Sequence, residues 1–378
     1  MFYLFSKLIL IIKIIKNIII NNFSKYPNYV IQFERKLEKK FSSNFVLSFS
    51  NGTQAFEAAL LSLGLEKGSK ILLSKLSFSS TCITILKNGY IPIYLDFNNN
   101  LETKINEKDL YEAGAIIVTF IYGYTNDVKN IEYLKKNFPK IKIIADCSHA
   151  HGAKFKKRDV VNFADISFMS LQGAKAISAG EGGVIFTNSI NHFHRMIKLC
   201  HPSRKINSEK TLSYSVPGFS KLTKSRIHPV GALIANHDLE FLEEKNKLLK
   251  EKLNLIYKNL ENTKQIYLPK TDIDDTGGYH YGFPFFITGN KEIITNYTKI
   301  KFKKYNYLKY ENYLEFIDPN QFKKFQLADN ELVLSKSQSN DLRDDLFLFD
   351  LDWIKKMNKN ILEKEITSFK KFIEKNDL

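Results

Sequence analysis

The chain has 378 residues, of which 44% are hydrophobic and 25% charged, and these values indicate a globular protein while excluding a disordered chain and a polytopic membrane protein. Its formal charge of +16 would favour anionic partners, but lysine, asparagine and isoleucine are spread along the whole chain, so we ascribe the charge to compositional bias and expect no nucleic-acid partner. The three cysteines (Cys82, Cys147 and Cys200) are too few and too scattered for a disulfide framework or a zinc site, which predicts a reducing compartment, the cytoplasm, and no metal.

Residues 1–20 are strongly apolar but are interrupted by lysines. No small-residue cleavage site follows them and the apolar runs are short, so we expect neither a secretory signal nor a membrane span. One side of the predicted helix collects Ser6, Lys13, Lys16 and Asn17, which is typical of a helix lying on a membrane surface. A helix packed on this protein or on a partner subunit explains the same pattern and is slightly favoured.

Beyond a polar break near residues 21–28, short strands and amphipathic helices alternate. Apolar runs predict strands at residues 45–49, 70–73, 91–95, 115–120, 141–145, 165–170 and 184–187. Helical spacing predicts helices at residues 29–41, 54–63, 77–88, 126–138 and 189–199. This rhythm predicts an α/β fold with a mostly parallel central sheet flanked by helices.

The last third of the chain is less regular. A small-residue helix at residues 230–236 leads into a long charged helix, followed by a strand at 281–287 and a helix at 353–372. Residues 299–313 interleave basic and aromatic side chains, which could stack a nucleotide base, although an exposed amphipathic face is the commoner cause.

We therefore expect three parts. They are an N-terminal helix in residues 1–28, a large domain in 29–240 and a smaller α+β domain in 241–378.

Residues 170–183 form a glycine-containing loop between two predicted strands, and they carry Lys175. Loops held by a rigid sheet often carry chemistry. A lysine that is half buried there loses hydration, its pKa falls, and its amine can form a Schiff base with an aldehyde. In a chain with 56 lysine and arginine residues, a solvated surface lysine is the alternative.

Other candidate residues also follow strand ends. Thr53, Phe78, Asp146 and Lys175 each come just after a predicted strand, and ligands of parallel sheets bind at the carboxyl ends of the strands. One crevice is therefore expected to collect them. No nucleotide P-loop and no Gly-x-Gly-x-x-Gly fingerprint follows any strand, which argues against an ATPase and a nicotinamide dehydrogenase.

Five sequence elements occur in order along the large domain. They are Ser-Asn-Gly-Thr at 50–53, Ser-Phe-Ser-Ser-Thr at 77–81, Asp-Cys-Ser-His-Ala-His-Gly-Ala at 146–153, Ser170, and Lys175 followed by Gly-Glu-Gly-Gly. From about Tyr29 to the long helix after Asn236, the chain resembles the DegT/StrS sugar aminotransferases, which are pyridoxal-phosphate enzymes of fold type I. The resemblance implies pyridoxal 5′-phosphate as the cofactor, a keto sugar and an amino donor as substrates, and a homodimer.

The resemblance also implies roles for single residues. Lys175 would hold the aldehyde and move a proton, and Asp146 would keep the pyridine nitrogen protonated by charge pairing. Phe78 and Ser148 would lie against the two faces of the ring. The phosphate would bind Gly52, Thr53 and Ser170, the first two at the start of a helix.

Two positions depart from the pattern of the family. His149 stands where a glutamine usually lies near the phenolic oxygen of the cofactor, and it either makes the same hydrogen bond or is structural. Lys224 lies near the position of an asparagine that reaches the phosphate of the neighbouring subunit, and it could take that role. Because the deoxygenating relatives carry a histidine where this chain has Lys175, the resemblance favours transamination over dehydration.

Two hypotheses follow. The first is an aminotransferase that moves an amino group from glutamate or glutamine to a keto sugar, in nucleotide-linked form, for polysaccharide or amino-sugar biosynthesis. The alternative is a regulatory or sensor protein that binds pyridoxal phosphate without turnover.

Overall fold

The computed structural model describes residues 2–19, 28–200, 225–271, 275–279, 281–288, 297, 302–304 and 345–376. Within these ranges the strands are β1 (Phe45–Phe49), β2 (Lys70–Ser74), β3 (Ile91–Leu95), β4 (Ala113–Thr119), β5 (Lys142–Asp146), β6 (Lys154–Phe155), β7 (Arg158–Asp159), β8 (Ile166–Ser170), β9 (Gly183–Thr187), β10 (Ile266–Tyr267), β11 (Gly282–Ile287), β12 (Phe302–Lys304) and β13 (Leu346–Asp350). The helices are α1 (Phe2–Ile19), α2 (Asn28–Phe41), α3 (Gly52–Ser62), α4 (Ser79–Lys87), α5 (Glu107–Glu112), α6 (Val128–Asn137), α7 (Ile190–Cys200), α8 (Pro229–Glu240), α9 (Leu242–Leu260), α10 (Leu351–Lys356) and α11 (Lys359–Lys375).

Seven strands form the central sheet, in the order β1-β9-β8-β5-β4-β2-β3. The pairs β2–β3, β2–β4, β4–β5 and β5–β8 are parallel, whereas β9 runs antiparallel to both β1 and β8. The prediction of a mostly parallel sheet flanked by helices is confirmed. Because every strand except β9 runs in one direction, the carboxyl ends of β1, β2, β4, β5 and β8 meet at one edge.

Both faces of this sheet are covered, so its central strands are mostly apolar. In β4, Ile116 and Val118 face the core that contains α2 and α6, while Ala115 and Ile117 face the core that contains α3 and α4. All four side chains are at most 1% exposed. This double burial explains why the sequence shows a continuous apolar run here rather than an alternation.

A second sheet, in the order β10-β11-β13-β12, is antiparallel and packs with α9, α10 and α11 around an aromatic core. The ring centroids of Phe285 and Phe349 are 4.5 Å apart, and Phe369 lies edge-on to both. The predicted strand at 281–287 is present, but β13 was not predicted. The domain boundaries at 28/29 and 240/241 stay predictions.

The helical stretch predicted at residues 353–372 is present as two helices. Helix α10 ends at Lys356, and Asn358 caps α11 by accepting a hydrogen bond from the backbone N–H of Ile361 (2.9 Å). An asparagine oxygen at this position satisfies a first-turn amide that no residue of the helix can bond.

Two polar residues of helix α1, Ser6 and Asn17, bond to the body of the protein. The Oγ of Ser6 lies 3.0 Å from Nε2 of His237 in α8, and the hydroxyl of Tyr29 donates to the side-chain oxygen of Asn17 (2.7 Å). Six apolar residues of the helix are exposed by 50% or more, namely Leu8, Ile9, Ile11, Ile12, Ile15 and Ile19. In the part of the chain that the structure describes, no helix has the length and hydropathy needed to cross a membrane.

Candidate active site

A cavity of about 420 Å³ lies at the edge where the carboxyl ends of the parallel strands meet. Eight of the nine predicted site residues line it, namely Gly52, Thr53, Phe78, Asp146, Ser148, His149, Ser170 and Lys175. The ninth, Lys224, lies outside the described residues, as does most of the basic and aromatic stretch at residues 299–313. The expected single crevice is therefore present.

The first wall of the cavity is the N-terminus of α3. Asn51 caps this helix, because its side-chain oxygen accepts a hydrogen bond from the backbone N–H of Gln54 (2.8 Å). A Cβ atom on Gly52 would lie 2.7 Å from Cβ of Ser170, so only glycine lets the helix start approach the end of β8 this closely. The start of α3, with its first-turn amides and the positive end of the helix dipole, lines the cavity, which suits a phosphate group.

The hydroxyl groups of Thr53 and Ser170 also line the cavity. The Oγ1 of Thr53 donates to Oγ of Ser80 (3.1 Å), which ties α3 to the first turn of α4. Ser170 ends β8, and its backbone N–H donates to Oγ of Ser148 (3.0 Å). Backbone amides and hydroxyl groups that follow several strand ends thus line one side of the cavity.

Asp146 is the last residue of β5 and is only 5% exposed. Its Oδ1 accepts a hydrogen bond from the backbone N–H of Ser148 (2.9 Å). Burial raises the pKa of this carboxyl group, while the hydrogen bonds of Ser148 and the charge of Lys175 oppose the rise. A carboxylate removed from water in this way is stabilised by a cationic partner, such as a protonated ring nitrogen.

Lys175 lies in the loop between β8 and β9, and its backbone N–H donates to the carbonyl oxygen of Gln172 (2.9 Å). Burial lowers the pKa of its amine to about 8, against the opposing charge of Asp146. Its proton therefore becomes removable near neutral pH. The fall in pKa expected from the sequence is found, and it makes Nζ a nucleophile towards an aldehyde.

His149 lines the cavity between two tyrosine rings. Its Nδ1 accepts a hydrogen bond from the backbone N–H of Tyr122 (3.3 Å), and its ring centroid lies 5.7 Å from that of Tyr281. A histidine that accepts at Nδ1 is neutral and carries its proton on Nε2. In this orientation of the ring, Nε2 is the nitrogen that can carry the proton and donate a hydrogen bond.

Phe78 supplies a flat apolar surface at the mouth of the cavity. It precedes α4 in extended conformation and its side chain is 53% exposed, which is unusual for a phenylalanine. An aromatic ring left in solvent at a cavity that Asp146 and Lys175 also line is well placed to stack on a planar ligand.

Sequence reasoning missed several residues of the cavity wall, among them Asn51, Thr119, Gln172, Glu181 and Tyr281. Thr119 ends β4, so the strand-end rule could have found it. Tyr281 comes from the second sheet and adopts a positive φ of 74° at the start of β11. No sequence signal links it to the site, because only the packing of the two parts brings it there.

The fold is that of the pyridoxal-phosphate-dependent transferases of fold type I. The chain belongs to the DegT/DnrJ/EryC1/StrS aminotransferase family, whose family model matches residues 11–313. It is accordingly an aminotransferase that depends on pyridoxal phosphate. The resemblance read from the five sequence elements is confirmed.

Two relatives and one solved structure show how far the similarity extends. The chain is 27% identical over 257 residues to GDP-perosamine synthase of Escherichia coli O157:H7. The matched region covers 67% of this chain and 69% of that protein. It is 27% identical over 261 residues to Protein MosB of Rhizobium meliloti, and this matched region covers 66% of this chain and 51% of that protein. A DegT DnrJ EryC1 StrS aminotransferase from Brucella abortus matches with a TM-score of 0.73 at 18% identity, over 95% of each chain.

Proposed function

We propose that this protein transfers an amino group from glutamate or glutamine to a nucleotide-linked keto sugar, in the biosynthesis of amino sugars or polysaccharide. The observation that carries the proposal is that Lys175 and Asp146 line one cavity and each shifts the pKa of the other. The substrate class is supported by relatives named GDP-perosamine synthase and dTDP-linked amino-sugar transaminases. A regulator without turnover is not favoured, because these relatives are enzymes.

The residues of the cavity fit pyridoxal phosphate. When bound, this cofactor supplies an electron sink for the bonds at the reacting carbon. Lys175 Nζ would bind its aldehyde and afterwards move the proton at the reacting carbon. Asp146 would hold the proton on the ring nitrogen, and Phe78 would orient the ring by stacking on it.

The remaining predicted residues would fix the position of the cofactor. The backbone amides at Gly52 and Thr53 would hold the phosphate, together with the hydroxyl group of Ser170. Ser148 would pack on the ring face opposite Phe78, and Nε2–H of His149 would donate to the phenolic oxygen.

Reduction with borohydride tests the proposal directly. We expect peptide mapping of the reduced holoenzyme to place a pyridoxyl group on Lys175, and we expect glutamate to shift the visible absorbance of the unreduced protein before a keto sugar restores it. An unmodified Lys175 would contradict the proposal. A labelled Lys175 whose spectrum no amino donor changes would support the regulatory alternative instead.

We propose that the active form is a homodimer. The support is family membership, since enzymes of fold type I build their sites at a subunit interface, and Lys224 would reach the phosphate of the neighbouring subunit. Analytical ultracentrifugation should give twice the 43.8 kDa mass of one chain. A protein with full activity at the mass of one chain would contradict this.

We also propose that α1 binds the surface of an anionic membrane from the cytoplasmic side. Its exposed apolar residues provide the surface that would enter the lipid, and its exposed lysines (Lys7, Lys13 and Lys16) would meet acidic headgroups. The helix contains no acidic residue. The free, buried thiols of Cys82, Cys147 and Cys200 are consistent with a reducing compartment.

Sedimentation with lipid vesicles tests this surface. Each lysine near an anionic surface contributes about 1 kcal/mol, so three should favour vesicles rich in phosphatidylserine over neutral ones by roughly a hundredfold in affinity. The double variant Ile12→Asp/Ile15→Asp should lose binding. Ile361→Asp, which also alters an exposed isoleucine, is the matched control and should bind normally. If the double variant instead changes only the oligomeric state, α1 is a subunit contact.

A further inference from the structure

The loop that carries Lys175 is anchored at three consecutive residues on its carboxyl side. The Nζ of Lys245 donates to the carbonyl oxygen of Ala176 (3.4 Å). The backbone N–H of Ile177 donates to Nδ1 of His151 (3.1 Å), and that of Ser178 donates to Oδ2 of Asp238 (3.1 Å). Loops are usually mobile where their backbone groups bond only water. Here the backbone next to Lys175 is instead fixed by the protein.

Two of the three anchors form an ion pair. Nζ of Lys245 lies 2.6 Å from Oδ1 of Asp238, and their side chains are 31% and 14% exposed. Asp238 belongs to α8 and Lys245 to α9, and only Phe241 separates these helices. One oxygen of the carboxylate thus accepts from the ammonium group and the other from the loop. The pair ties both helices to the segment beside Lys175.

The third anchor, His151, is bonded to α9. The side chain of Asn246 in α9 donates to the carbonyl oxygen of His151 (2.8 Å) and accepts from the backbone N–H of Gly278 (3.2 Å). His151 is 1% exposed, and burial lowers its pKa to about 3, so its imidazole stays neutral and Nδ1 stays an acceptor. A single helix, α9, therefore supports the lysine loop from two sides.

We infer that Asp238 and Lys245 are positioning residues for the amine of Lys175. The inference rests on the proposed function, because it assigns the pair to the step that Lys175 carries out. A lysine side chain has several rotatable bonds, and it delivers its amine to one point only if its backbone is fixed. The pair fixes that backbone while touching neither the cavity nor its contents. A displacement of about 1 Å in such an arrangement can cost up to a hundredfold in rate.

Hydrogen exchange, measured by mass spectrometry on the full-length protein with and without pyridoxal phosphate, tests the inference. Asp238→Ala should raise exchange in the peptide covering 171–183 about tenfold, because Ser178 loses its acceptor and Lys245 its partner. The kcat should fall about tenfold while KM changes less than twofold. Amide exchange reports on the loop whether or not the protein is an aminotransferase, so a failure of the proposed function remains distinguishable.

Further variants separate positioning from simple destabilisation. Asp238→Asn keeps an acceptor for Ser178 and should recover most of the protection, whereas Lys245→Met combined with Asp238→Ala should be no worse than Asp238→Ala alone, since the two side chains act as a unit. Glu240 lies in the same helix as Asp238 and forms an exposed ion pair with Lys36 of α2, so Glu240→Ala is the matched control. Unchanged exchange in the loop, or exchange raised equally throughout the chain, would overturn the inference.

Discussion

Replacing Lys175 by methionine is expected to lower kcat by about a thousandfold or more. The substitution keeps the apolar stem but removes the amine that would bind the aldehyde and move the proton, and general acid–base catalysis alone contributes about a hundredfold to ten-thousandfold. Single-turnover mixing of holoenzyme with glutamate measures the loss at the chemical step. The variant should also resist labelling by borohydride.

The variant should nevertheless fold, and its stability should reveal the perturbed pKa. Burial lowers the pKa of Lys175 to about 8, against about 10.4 in an unfolded chain. Below pH 8 both states hold the proton, and the buried charge costs the apo-protein stability. Between the two values the unfolded state binds more protons, so wild-type stability rises with pH. Apo-Lys175→Met should therefore be more stable than wild type at pH 7, and this advantage should vanish as pH approaches 10.5.

Lys75→Met provides the control for the loss of a partly buried lysine. Lys75 pairs with Asp96 outside the cavity, and its side chain is 14% exposed. Its replacement should leave kcat within about twofold, because it touches none of the reacting groups. If Lys75→Met and Lys175→Met lost activity equally, or if Lys175→Met retained it, Lys175 would not be the reacting amine.

The sequence predicted most of the large domain because burial there follows local rules. Strand β4 is a continuous apolar run since both of its faces are covered, and the parallel strands place Thr53, Asp146 and Lys175 at one edge. The position of Lys175, in the loop that follows the strand ending at Ser170, identifies it from the sequence as a candidate for the reacting amine. These features depend on residues that are close together in the sequence, so the sequence alone predicts them.

Features that depend on distant partners were not predictable. The anchors at Asp238 and Lys245 look like ordinary charged residues of two helices, and only the fold brings them to the backbone after Lys175. Tyr281 lines the cavity, and nearby Gly278 packs so closely that an added Cβ atom would meet the backbone nitrogen of His151. Such contacts need the packing of the two parts, which carries no local signature.

Replacing Asp146 by asparagine is expected to lower kcat about a hundredfold to a thousandfold, the usual effect of removing a preorganised charge from an active site. Asparagine has nearly the same shape and can still accept the hydrogen bond from Ser148. It cannot hold a proton on the ring nitrogen by charge pairing, so the rate of the half-reaction should fall more than the affinity for the cofactor. Stopped-flow absorbance with glutamate measures the rate of the half-reaction. Equilibrium titration of the apo-protein with pyridoxal phosphate measures the affinity for the cofactor.

The fold should survive this substitution, which makes the rate interpretable. Burial raises the pKa of Asp146 above its unfolded value, so at neutral pH the carboxylate costs the apo-protein stability and its amide should not. Asp127 is the matched control, since it is also buried, its pKa is raised to about 6, and it bonds Thr103 outside the cavity. Asp127→Asn should alter stability but leave kcat within about threefold. Because both variants remove one buried charge, a selective loss of rate in Asp146→Asn can come only from the place where that charge stands.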